Sequence, residues 1–335
     1  MTRWAVAFAL VAAMLVFGFG VYRAAGFLRD ESNAVHKPTE VSAPALVGTL
    51  YLVQSGAIYR FQKGSFTQIT SEDGWMQASA APDGQLVAVR RQGNYSDLYL
   101  LTREGRQVAQ LTHDEAHTVQ SNHWAFYPRF SPDGRTVFYD FDPKEVYATY
   151  RDDLAIFASP MNPGGRALKW TQPNDYTGGD VGPVPLRNGA LLFTKYSIDD
   201  RSEVHAQVWI QRRPGSPGLA LTAPDLGCAQ PAVSPDERLI AMVCSKGSNQ
   251  SSDLVVAPFD PDALTVGAPS TLVGDKLVAS PAFSPDGKTI AFLAPAGPGG
   301  HFQLWTVAAS GQPAPTSITS KLGFDSTSAP VWVEG

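Results

Sequence analysis

Downstream of residue 47 the apolar positions come in short runs cut by Gly, Pro, Asn and Asp, the pattern of many short strands joined by tight turns. The clearest unit is Pro281-Ala282-Phe283-Ser284-Pro285-Asp286-Gly287-Lys288-Thr289-Ile290-Ala291-Phe292, which reads as a hairpin. Proline presets φ for a type I turn, aspartate suits the next position, and glycine takes the left-handed conformation. Copies follow the same order at Ala81-Pro82-Asp83-Gly84, Ser131-Pro132-Asp133-Gly134 and Ser234-Pro235-Asp236-Glu237, and a degraded one at Leu186-Arg187-Asn188-Gly189. The turn prolines Pro82, Pro132, Pro235 and Pro285 are 50, 103 and 50 residues apart, and the degraded copy halves the 103. A period near 50 belongs to propellers and arrays.

Each repeat carries four strands, A to D. Strand C is nearly continuously apolar in Leu98 to Leu101, Leu154 to Phe157, Val208 to Ile210 and Leu254 to Val256. A sheet covered on both faces has this pattern, whereas a half-exposed sheet alternates. Strand D ends on a large apolar residue and threonine at Ile69-Thr70, Leu111-Thr112, Trp170-Thr171, Leu221-Thr222 and Ile318-Thr319, with Leu272-Val273 as the variant. The first unit, Gly48 to Thr70, lacks strand A, and Ala329-Pro330-Val331-Trp332-Val333 at the other end supplies one. The chain is therefore expected to close on itself as an all-β, six-bladed propeller of four-stranded blades over residues 47–335. The period is too long for one coil of a β-helix and too regular for a sandwich.

Ahead of the repeats, Trp4 to Tyr22 is an uncharged stretch of 19 residues between Arg3 and Arg23, long enough to span a bilayer. Residues 1–27 read as a transmembrane signal anchor, with a small-x-small cleavage site at Gly18-Phe19-Gly20 as the alternative, and 28–46 as a polar tether. The propeller is placed outside the cytoplasm, on the periplasmic or extracellular face. Net charge is −5, and no basic run exceeds Arg90-Arg91 or Arg212-Arg213, which argues against a nucleic-acid partner.

The Ser-Pro-Asp-Gly hairpins, the apolar strand after each and the Leu-Thr endings resemble the propeller repeats of the TolB family, over about residues 47 to 335. Those repeats are related to the amino-terminal propellers of prolyl oligopeptidase-type enzymes. TolB itself carries an additional α/β domain before its propeller, where this chain shows the anchor and tether. The resemblance implies repeat type and fold.

Candidate chemistry gathers in the longest loops, His113 to Trp124, Asp142 to Asp153, Ser197 to Ala206, Ser245 to Ser252 and Ala294 to His301, all expected on one face. His113-Asp114-Glu115 with His117 and His123, near Asp142, Glu145, Asp199, Asp200 and His205, would make a divalent-cation site if blades two to four bring them together. A solvated polar loop has the same composition, so no metal, cofactor or catalytic residue is assigned. Trp124, Phe126, Tyr127, Tyr147 and Tyr150 add aromatic surface suited to a protein or peptide partner, or to packing between blades. No Gly-x-Ser-x-Gly elbow occurs.

The two cysteines, Cys228 and Cys244, are symmetric about the turn near residue 236, which sets them opposite each other in blade five as a disulfide or as two buried thiols. The expected function is a membrane-tethered, non-catalytic scaffold for a protein or peptide of the cell envelope. The alternative is a hydrolase or metal-dependent enzyme with its site at the channel mouth.

Overall fold

The computed structural model describes residues 46–144, 153–162, 165–245, 251–297 and 299–335. The anchor, the tether up to residue 45, and Glu145, Tyr147 and Tyr150 lie outside the described residues. Among the described residues no helix is long and apolar enough to cross a membrane.

Six antiparallel sheets form the fold. Blade 1 is Thr49–Gln54, Ala57–Gln62 and Ser65–Gln68, with Val331–Val333 added as its strand A. Blade 2 runs Trp75–Ala80, Leu86–Arg91, Ser96–Leu101, Gln107–Gln110; blade 3 runs Ala125–Phe130, Thr136–Phe141, Ala155–Pro160, Leu168–Lys169. Blade 4 is Asp180–Pro185, Leu191–Ile198, Val204–Gln211, Leu219–Ala220, and blade 6 is Ala279–Phe283, Thr289–Pro295, Phe302–Ala308, Thr316–Ser317. In blade 5, Cys228–Val233, Leu239–Cys244 and Ser252–Asp260 are followed by two outer segments, Thr265–Val266 and Ser270–Lys276, both paired to the long third strand. The first and last strands meet as their sequence suggests, with Thr49 opposite Val333, Leu50 opposite Trp332 and Tyr51 opposite Val331.

The A strands neighbour one another around the axis, and the apolar core is divided among the junctions between blades. Six clusters of buried side chains each join two adjacent sheets. Leu192 and Ile210 of blade 4 meet Ile240 and Met242 of blade 5, for example, while the next face of blade 5 sends Ala241 and Leu254 toward Ile290 and Phe292 of blade 6. Both faces of a middle strand are thus covered, which is why strands B and C carry no polar alternation.

The recurrent threonine after strand D has a local cause. Where D leaves the sheet, the threonine Oγ1 accepts the strand C amide that the ladder no longer serves. Thr70 takes Ile58 N–H at 2.8 Å, and Thr112, Thr171, Thr222 and Thr319 take Leu98, Ile156, Val208 and Leu304 at 3.0 Å. Blade 5, the variant, keeps D paired past this point, with Leu254 opposite Val273. Thr171→Val is therefore expected to destabilise the fold by ~1–3 kcal/mol, because the buried Ile156 N–H loses its acceptor, while Thr171→Ser stays within about 0.5 kcal/mol. Urea unfolding of the two variants checks this; equal midpoints would remove the hydrogen bond from the account.

The turns are equally specific. In Ser131, Ser234 and Ser284 the hydroxyl donates to the aspartate two residues on at 2.6 Å and accepts the amide five residues on at 2.9–3.0 Å. Gly134 has φ 71°, and a Cβ there would stand 3.1 Å from Pro82 Cδ, so the turns of adjacent blades also nest. Blade 5 replaces the glycine with Glu237 at φ 59°, and that side chain accepts the Arg187 amide of the degraded turn at 2.9 Å.

Candidate functional site

Along the axis the A strands do not run as regular ladders. Five of them carry a bulge with one residue in the left-handed region: Gln77 (φ 49°), Tyr127 (48°), Gly182 (69°), Gln230 (53°) and Ser280 (55°). A bulge frees an amide from its ladder, and here each freed amide is taken up by a side chain from elsewhere in the ring. Gln77 N–H donates to Ser328 Oγ (3.0 Å), Tyr127 N–H to Gln77 Oε1 (2.8 Å), and Gln230 N–H to Thr194 Oγ1 (3.0 Å). Ser280 N–H donates to Gln230 Oε1 (2.7 Å), and Gly182 N–H to both carboxyl oxygens of Asp140 (3.2 and 3.0 Å). The hub is therefore stitched from blade to blade.

These bulges surround an axial cavity of about 100 Å3, to which all six blades or their lead-in segments contribute. Its wall combines Gln77, Tyr127, Arg129, Thr194, Tyr196 and Gln230 with apolar Ala78, Val184 and the prolines that follow the bulges. Burial pushes the Tyr196 and Tyr127 hydroxyls above their ordinary range, and the Arg129 guanidinium below its own. On the turn face the prolines Pro82, Pro132, Pro235 and Pro285 converge with Arg60 and Arg103 around a wider opening of about 560 Å3.

The loop residues singled out from sequence have separate fates. His113 and His117 are exposed and make no hydrogen bond or ion pair among the described residues. His123 is half-buried, stacked on Phe141 (5.0 Å between ring centres), with Nδ1 2.8 Å from the Asp142 carbonyl oxygen and 2.9 Å from its Oδ1. A carbonyl only accepts, so Nδ1 carries the proton. Lys144 Nζ lies 3.7 Å from Asp142 Oδ2 and donates to Gln120 O, tying the two loops together. Asp199 and His205 belong to a different structure, the tip of the blade 4 hairpin. Asp199 Oδ1 accepts the Arg201 and Glu203 amides, and its Oδ2 lies 3.1 Å from His205 Nε2. The Glu203 amide and the histidine hold the Asp199 carboxyl below the usual range, and Asp199 in turn raises His205. Asp199, Glu203 and His205 each place one ligand atom within 4.8 Å of the others, the one such group of three among the described residues. Asp200 is exposed beside them. Trp124 stacks on Phe126 (5.7 Å) with the Arg91 guanidinium 5.6 Å from its ring, while Tyr127 turns into the axial cavity.

Sequence reading singled out Asp114 only as one carboxylate of the loop cluster, and missed Asp97 and Arg129. Asp97 accepts Gln110 Nε2, Thr112 Oγ1 and the Asp114 amide. Asp114 is buried, its Oδ2 without a hydrogen bond, and desolvation aided by Asp97 pushes its carboxyl up to about 7 from the ordinary 3.8. The folded chain thus holds a proton there that the unfolded chain releases above about pH 4. Stability is expected to fall as pH rises from about 4 to 7 and then level off, and Asp114→Asn to lack that component. Melting temperature against pH for the two proteins checks it; parallel profiles would count against the shift. Arg129 was legible in one respect. Two residues past the bulge the other A strands carry Ser79, Val184, Ala232 and Ala282, so a charge at this repeat position is the exception.

Six sheets in a ring, closed by the last strand around an axial cavity, define a six-bladed β-propeller. No protein-family model and no curated protein matches the chain. Among solved structures, TolB from Acinetobacter baumannii is similar over 90% of this chain and 69% of that one, at TM-score 0.64 and 16% identity. A putative TolB from Agrobacterium tumefaciens matches 85% of this chain and 94% of its own, at TM-score 0.59 and 13% identity. A gluconolactonase from Xanthomonas campestris covers 85% and 91%, at TM-score 0.52 and 14% identity. At such identities the likeness is one of fold, and this fold carries an enzyme in one relative and TolB in the others.

Proposed function

We propose that this chain is a non-catalytic binding propeller. It is held outside the cytoplasm by its N-terminal segment, and it takes a protein or peptide of the cell envelope on the loop face around the axial opening. The observation that supports this most directly is the dispersal, among the described residues, of the loop histidines and carboxylates. His123 is bound to Asp142 within blade 3, Asp199 and His205 close their own hairpin tip, and His113 and His117 stand apart in solvent. A catalytic constellation needs such groups aimed at one point. The loop from 113 to 123 is also rigid enough to present a surface, because Asn122 Oδ1 accepts the Ala116 amide (2.7 Å) and the His123 amide donates to Asp114 O (2.9 Å).

Site-specific photocrosslinking of the full chain in native envelopes tests the reading. A crosslinker at His117 is expected to give a discrete protein adduct, and one at Asp286 on the opposite face to give none. Adducts from both positions alike, or from neither, would count against it. The Asp199–Glu203–His205 group favours the metal-dependent alternative. That alternative predicts a stoichiometric divalent ion in the purified protein, lost with His205→Ala.

A further inference from the structure

We infer that the axial cavity is a binding site for a carboxylate, with Arg129 as its cationic partner. Arg129 is half-buried and lines the cavity wall. Its side chain makes no hydrogen bond and no ion pair among the described residues, and no Asp or Glu lines the cavity wall. Asp140 offers no compensation, being fully buried with both oxygens on the Gly182 amide. A guanidinium desolvated without a counter-ion is costly, so an entering anion gains more there than at the surface.

The rest of the wall is donor-rich. Backbone N–H groups can only donate, so the bonds from Tyr127 and Ser280 fix Gln77 and Gln230 with Oε1 as acceptor. Each glutamine therefore keeps its NH2 group unspent. Tyr127 and Tyr196 bring hydroxyls with no partner among the described residues, and burial keeps them protonated as donors. The planar fork of arginine suits two oxygens held in one plane. A space of about 100 Å3, far below the size of a nucleotide or sugar site, admits a carboxylate and a few further atoms. Ala78, Val184, Pro231 and Pro281 suit an alkyl stem behind it, which favours an organic acid or a chain terminus over phosphate or chloride.

The choice of ligand rests on the binding function proposed above. Calorimetry and thermal shift on the full chain in detergent provide the test, with acetate, N-acetylglycine and the neutral N-acetylglycinamide as probes, and chloride and phosphate at matched ionic strength. Acetate and N-acetylglycine are expected to bind saturably and raise the melting temperature, and the other three to do neither. Arg129→Met should raise the melting temperature of the ligand-free protein while weakening carboxylate binding at least about tenfold. Arg129→Lys, which keeps the charge but not the fork, should weaken it at least about threefold. N-acetylglycine binding about tenfold tighter than acetate assigns a peptide terminus, and equal affinity assigns a free short-chain acid; either supports the site. No saturable carboxylate binding, the amide binding as well as the acid, or unchanged affinity in both variants would overturn it. Adducts at His117 that survive Arg129→Met would then leave the wider binding function standing.

Discussion

A chain ended at Ser328 is expected to lose more than about 10 °C in melting temperature and to aggregate on storage. The missing residues include Val331–Val333, which complete blade 1 against Thr49–Tyr51. Their removal costs about three ladder pairs at ~1 kcal/mol each, plus ~2 kcal/mol for the buried Val331 side chain. For a domain of this size that sum corresponds to roughly 10 °C. It also leaves Thr49–Gln54, an almost wholly buried strand, as an open edge able to pair with another copy. Circular-dichroism melts and light scattering measure both effects. A melt within about 2 °C of the full chain would mean that the ring does not depend on its fastening.

Breaking the disulfide is expected to have the second largest effect. Cys228 and Cys244 are register partners at the open end of the blade 5 hairpin, and a disulfide joins them across 16 residues. Constraining a loop of that length in the unfolded chain contributes ~3 kcal/mol, or roughly 6–9 °C. Reductant should lower the melting temperature of the natural chain by that amount and leave a Cys228→Ala/Cys244→Ala variant unmoved. Both cysteines are buried, so a small part of the loss in the variant comes from packing. Two free thiols titrated from unreduced, denatured protein would dispose of the prediction.

The fold was readable because propeller blades repeat local chemistry. Proline, aspartate and glycine recur at the turns because each turn closes its own hydrogen bonds, as Ser284 and Asp286 do. Threonine recurs after strand D because in five of the blades one strand C amide needs an acceptor. Such requirements act between near neighbours and leave a periodic mark. The loops were harder to read, since His113, His117 and His123 lie within eleven residues of one another yet face different surroundings. Imidazole spacing in an irregular loop sets no direction. That His123 turns to Asp142 depends on how blade 3 pairs its first two strands.

What the sequence determined alone is the repeat, the six blades and the pairing of Leu50 with the tail, because turn chemistry and apolar runs are properties of short stretches. What only the tertiary structure decided is the axial cavity. Gln77, Tyr127, Gln230 and Ser280 lie about 50 or more residues apart and meet only when six bulged strands surround one axis. Arg129 has its character for the same reason: on an isolated strand it would be a solvated charge, and the ring is what half-buries it beside the cavity.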